Sequence, residues 1–112
     1  MEQVRHGCFL RFYMHENRKH EHGVLLYEWL LEAARQEGIP GGSAFRAIAG
    51  FGRHGVLHEQ HFFELAGDLT VEVEFLLSDD QADALLGRLR KEKVRVVYAR
   101  TRAEFGMIPG DS

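Results

Sequence analysis

The chain opens on an alternating pattern. Cys8, Leu10, Phe12 and Met14 fall on one side of an extended backbone, and Phe9, Arg11 and Tyr13 on the other, which predicts a strand over residues 4–14. The second side mixes aromatic and charged groups, so it is expected to meet water or another subunit. A polar connection, 15–23, follows. From about residue 24 to 37 the period becomes helical: Leu26, Leu30, Ala33 and Ala34 form an apolar stripe opposite Glu28, Glu32, Arg35 and Gln36. Gly38, Ile39 and Pro40 mark its end, with glycine suited to the left-handed position beyond a helix and proline unable to continue it. Residues 43–51 read as a second strand with Phe45, Ala47, Ala49 and Phe51 on one face. The alternation over 69–77 is the clearest in the chain, with Leu69, Val71, Val73, Phe75 and Leu77 on one face. Ser78-Asp79-Asp80-Gln81 predicts a capping box with acidic residues at the positive end of a helix. Ala82, Leu85, Leu86 and Leu89 supply that helix's buried stripe, and Lys91 to Lys93 end it in positive charge. Val94 to Ala99 read as a last strand; no element is assigned to the tail from Arg100 to Ser112.

The order βαββαβ, with right-handed crossovers, predicts an α+β ferredoxin-like sandwich: one antiparallel sheet with two helices on one face. Residues 1–112 form a single domain with a long loop at about 52–66. Two helices leave the second sheet face uncovered. It is expected to carry Phe9, Arg11, Tyr13, Arg46, Ile48, Glu72, Glu74 and Leu76, a set too apolar for plain solvent and too charged for a dry core. Self-association is the expected remedy, with Arg11 or Arg46 paired to Glu72 or Glu74 across subunits.

Composition narrows the function classes. Hydrophobic content of 45% and charged content of 28% fit a globular domain, and a net charge of -3 gives no footing for a nucleic-acid partner. No apolar run approaches the ~20 residues needed to span a bilayer, and the N-terminus has no signal-peptide pattern. The single Cys8 has no partner for an internal disulfide. A cytoplasmic protein is expected.

Candidate chemistry centres on Ala47 to Gly55. Gly50, Gly52 and Gly55 allow close backbone approach, Arg53 offers a planar fork for phosphate or carboxylate, and His54 titrates near neutral pH. His54, His58 and His61 stand at i, i+4 and i+7. On a helix they would share a face and could bind zinc. In a loop, as expected here, that spacing has no meaning, so no metal site is assigned and a metal-binding trimer is the alternative. His15, His20 and His22 with Glu21 make a second cluster. No catalytic residue emerges: Cys8 faces the expected core, Ser43 lacks an elbow motif, Ser78 is a cap, and Glu72 and Glu74 suit salt bridges.

Three stretches together carry a resemblance: Phe12-Tyr13-Met14-His15-Glu16-Asn17, then Leu26-Tyr27-Glu28, then the run Gly41 to Gly52. From about Arg11 to Ala99 the chain resembles the domain-of-unknown-function family one-ninety, which is similar to the nitrogen-regulatory protein PII. The resemblance implies a signalling homotrimer, not an enzyme. It implies a small ligand, an adenine nucleotide or similar anion, held in clefts between subunits by Gly50, Gly52, Arg53 and His54, with Arg100 and Arg102 brought by the tail. No cofactor is certain. A membrane transporter or an enzyme, controlled by the 52–66 loop, is the partner implied by analogy. Two departures count against a triphosphate: the link Arg90-Lys91-Glu92-Lys93 has no glycine, and Val71 stands near the position where PII has a lysine. The 52–66 loop also lacks the tyrosine that PII proteins carry for modification. A ligand-free interaction module is the third reading.

Overall fold

The alternation at the start of the chain builds β1 (Val4–His15), and the one at 69–77 builds β3 (Thr70–Leu77). A computed structural model describes residues 2–50 and 69–111. In it these two strands lie side by side, antiparallel, at the centre of the sheet. Their register sets Cys8, Leu10, Phe12 and Met14 opposite Leu77, Phe75, Val73 and Val71, and all eight are buried. The rings of Phe12 and Phe75 meet edge-on at 6.2 Å.

Two helices cover this apolar face. α1 (Leu26–Gln36) buries Leu26, Leu30, Ala33 and Ala34. Its end follows the expected chemistry: Gly38 takes φ 82°, its N–H donates to Arg35 O at 3.1 Å, and the N–H of buried Ile39 donates to Ala34 O at 3.1 Å. α2 (Asp79–Lys91) buries Ala82, Leu85, Leu86 and Leu89. It starts in the predicted capping box: Gln81 N–H donates to Ser78 Oγ at 3.1 Å, and Ser78 N–H donates to Gln81 Oε1 at 3.0 Å. With β2 (Gly42–Arg46) and β4 (Val97–Gly106), the described residues form a four-stranded antiparallel sheet ordered β2-β3-β1-β4. The α+β ferredoxin-like arrangement is therefore present.

Two expectations are corrected. β2 ends at Arg46, and its faces are the reverse of those read from sequence. Gly42, Ala44 and Arg46 pair with Phe75, Val73 and Val71 and so face the helices; Phe45 pairs with Glu72 on the open side and is 52% exposed. Arg46 therefore leaves the open face, where sequence placed it. The reason is a contact between strands. A Cβ built on Gly42 would overlap the Phe75 ring and crowd Leu31, so only glycine lets the edge strand approach there. One residue of slip inverts every side chain in a strand, and Phe45 misleads because it is apolar without being core. The last strand, expected over 94–99, begins instead at Val97 and runs to Gly106. β1 starts at Val4, four residues before its pairing with β3 begins at Cys8, and β4 pairs with it from Val4 to Tyr13, which carries β4 to Gly106. The helix side of β4, with Arg100 and Arg102, lacks the apolar alternation that marks a covered strand.

The β2 register predicts an asymmetry between neighbours. Gly42→Val should cost about 1–3 kcal/mol through overpacking against Phe75. Ser43→Val, on the open side, should be near neutral. Urea unfolding of both variants checks this; equal effects would contradict the register.

Candidate functional site

β1 ends, β2 ends and β3 begins at one end of the sheet, and Glu16 is the residue that joins them. Its N–H donates to Leu69 O at 2.8 Å. Its carboxylate accepts from Arg46 Nε at 2.7 Å and from Leu69 N–H at 3.4 Å. Ala47 N–H closes the same end by donating to Thr70 O at 2.8 Å. One carboxylate thus ties the residue that precedes the glycine-rich stretch to the residue that leads back into β3. The Glu16 side chain is 12% exposed while that of Arg46 is 63% exposed. The guanidinium replaces water the carboxylate has lost, a charge-assisted contact stronger than a neutral one. Beyond this clasp Ile48 and Gly50 stand in solvent. Gly52, Arg53, His54, His58 and His61, and the loop expected at about 52–66, lie outside the described residues.

Arg100 and Arg102 sit elsewhere. On β4 they pair with Leu10 and Cys8 and so lie on the helix side. Arg100 donates to Asp83 Oδ1 at 2.7 Å and Asp79 Oδ1 at 2.9 Å, fastening β4 to the first turns of α2. The Asp83 bond, then the Asp79 bond, raise the Arg100 guanidinium above its ordinary range. In return, the hydrogen bond from Arg100 holds the Asp79 carboxyl below the usual carboxylate range. Burial pushes the Cys8 thiol up, which leaves it a neutral packing group. Within one chain, the Gly50 end and the Arg100 edge do not converge. β2 and β4 are the two outer strands with β3 and β1 between them, a lateral separation of about 14 Å at ordinary strand spacing.

The sheet face that neither described helix covers is organised in rows. Phe45, Glu72, Tyr13 and Val97 form one; Ser43, Glu74, Arg11 and Ala99 form the next. Arg11 donates to Glu74 at 3.0 Å and lies over the Phe9 ring, 4.6 Å from its centroid. Burial, then the charge of Glu72, raise the Tyr13 phenol. Two arginines expected to pair across subunits have partners inside the chain: Arg11 pairs with Glu74, a cross-strand neighbour, and Arg46 with Glu16. Of the second histidine cluster, His20 and Glu21 meet Glu92 at the end of α2. Glu16 and Glu92 carry geometry that sequence reasoning assigned to neither. Glu16 lay inside the Phe12–Asn17 motif, directly after a strand, and that position was its only signal.

The chain matches the DUF190 family, described as "Uncharacterized ACR", over residues 7–103 and belongs to it. It is 32% identical over 97 residues to a UPF0166 protein of Aquifex aeolicus, covering 80% of this chain and 91% of that protein. It is 31% identical over 80 residues to a UPF0166 protein of Methanocaldococcus jannaschii, covering 71% and 72%. Its fold is similar to that of CPII, a nitrogen regulatory PII-like protein from Thiomonas intermedia solved bound to ADP, AMP and bicarbonate. That similarity has a TM-score of 0.63 and 13% identity over 95% of this chain and 99% of that one. A PII-like signaling protein from Thermus thermophilus gives a TM-score of 0.61 and 16% identity over 91% and 90%. The PII-like fold is shared with both.

Glu16→Ala should cost about 1 kcal/mol, since Arg46 is left in solvent and not in a dry site. The amides of Ala47 and Leu69 should then exchange hydrogen faster; unchanged protection at both would remove the clasp. The Asp79–Arg100 pair sets an acid limb. A carboxyl whose folded pKa is depressed contributes stability above its unfolded value of about 3.9 and loses it as pH falls through the folded value. Stability should therefore drop as pH falls below about 4, and Asp79→Asn should flatten that limb in urea midpoints measured from about pH 2 to 7.

Proposed function

We propose that this chain is a PII-like regulatory protein, a homotrimer that binds an adenine nucleotide or a similar anion in clefts between subunits. The observation that carries the reading is a sheet that the described residues cover on one side only. Its open face bears Phe45 and Val97, 52% and 46% exposed, beside the half-buried Arg11–Glu74 pair. Such a face is suited to burial against other copies of the chain. Subunit contact would also account for Gly50 and Arg100 lying toward opposite edges of the sheet. The glycine-rich end of one subunit, with Gly50, Gly52, Arg53 and His54, would meet Arg100 and Arg102 of the next. The binding of ADP and AMP by the PII-like protein of the same fold supports this choice of ligand class.

The glycine-free link after α2 favours a ligand with fewer phosphates than ATP. No reaction is assigned, and the protein acts in the cytoplasm by presenting a surface. Among the described residues no helix is long and apolar enough to cross a membrane. Binding selects one conformation of the 52–66 loop because the ligand contacts Arg53 and backbone amides in that conformation alone. The selected loop then engages a partner, a membrane transporter or an enzyme.

Calorimetric titration with AMP, ADP, ATP and bicarbonate tests the reading, with native mass spectrometry of the same samples. The expected result is a trimer that binds a nucleotide, with Arg53→Ala weakening that binding by about 1.5–3 kcal/mol. A monomer, or a trimer that binds none of the four, would overturn it.

A further inference from the structure

The polar connection between β1 and α1 is a built hairpin. Lys19 bridges Leu25, His20 N–H donates to Val24 O at 2.7 Å, and Leu26 N–H donates to Arg18 O at 2.8 Å. The chain reverses at Glu21–Gly23 through left-handed His22 and Gly23, at φ 63° and 76°. The hairpin holds His20 with its ring against Trp29 of α1, 4.3 Å between centroids. Glu92 arrives from far along the sequence. It caps the end of α2, its N–H donating to Arg88 O at 3.0 Å. Lys93 then turns left-handed at φ 57°, and Val94 N–H donates to Leu89 O at 3.0 Å.

These two separately fixed segments bring together one imidazole and two carboxylates. His20, Glu21 and Glu92 each offer a ligand atom, and the three atoms lie within 4.8 Å of one another. Among the described residues neither carboxylate has an ion-pair partner. Arg88, one helical turn before Glu92, is occupied by Glu37 at 3.2 Å and Gln36 at 2.9 Å. We infer that His20, Glu21 and Glu92 form a binding site for a divalent transition-metal ion of the zinc type, completed by water. Imidazole with carboxylates selects the borderline metals over Mg²⁺ and Ca²⁺, which take all-oxygen shells. Donors at about 2.0–2.2 Å from zinc stand about 3.4 Å apart in a tetrahedron. Glu21 and Glu92 are both exposed and can close the remaining distance by rotation. The carbonyl end of α2 adds negative potential where the cation sits. The ion pins the hairpin that precedes α1 to the end of α2, on the helical side of the sheet. This site stands independently of nucleotide binding.

Trp29 is the one tryptophan in the chain and touches His20, so the site carries its own reporter. The untagged full chain is titrated with Co²⁺ while Trp29 fluorescence is followed, and with Zn²⁺ by calorimetry. The expected result is saturable quenching by Co²⁺, reversed by Zn²⁺, with one Zn²⁺ bound per chain. Glu21→Gln and Glu92→Gln, both at exposed positions, should each weaken binding at least about tenfold. A variant combining His54→Ala, His58→Ala and His61→Ala should still bind. Absence of quenching, affinity unchanged in Glu92→Gln, loss of the ion in the triple variant, or equal affinity for Mg²⁺ would each overturn the assignment.

Discussion

The pairing of β1 with β3 is the constraint on which the remaining structure depends. Their register brings Leu10, Phe12, Val73 and Phe75 onto one side with essentially no exposure. Both helices, both outer strands and both turns into α1 and α2 are placed by reference to that surface. Losing Phe12 or Phe75 would remove a large aromatic from the contact that every other element uses, a change of about 3–5 kcal/mol for phenylalanine to alanine in a core.

Burying one face of a two-sided sheet leaves the other to be managed. Here the chain meets the problem with rows of alternating chemistry: an arginine and a glutamate paired across strands, with aromatics on either side. The pair is half-buried, so its Coulomb gain is offset by lost hydration, and its clearest effect is to hold register. Arg11 and Glu74 are thus matched within one chain. Among the described residues, the large apolar groups left most exposed on this face are Phe45 and Val97.

The edges are secured by ion pairs instead of core. Glu16 gathers Arg46 and Leu69 at one end of the sheet, and Arg100 gathers Asp79 and Asp83 along the β4 side. Each joins an outer strand to an inner or helical element where little apolar surface is available. The same device recurs between the helices, where Arg88 reaches from α2 to Glu37 and Gln36. Gly50 stands just beyond the Glu16 clasp, where the backbone bonds from Glu16 to Leu69 and from Ala47 to Thr70 close the same end of the sheet.

Where periodicity met burial, the sequence alone determined the outcome: β1, β3, both helix stripes, the Ser78 capping box and the Gly38 stop are all local patterns set by a covered face. It also determined the family, through motifs whose order needs no coordinates. Tertiary structure decided which way β2 faces, because an edge strand with five exposed residues carries no burial signal, and the fit of Gly42 over Phe75 is a long-range fact. It decided how far β4 runs, because that length answers to β1. It also decided the partners of Glu16, Arg46, Arg100 and Glu92. Charged side chains have no periodicity to read, and what they meet depends on segments that only the folded chain brings together.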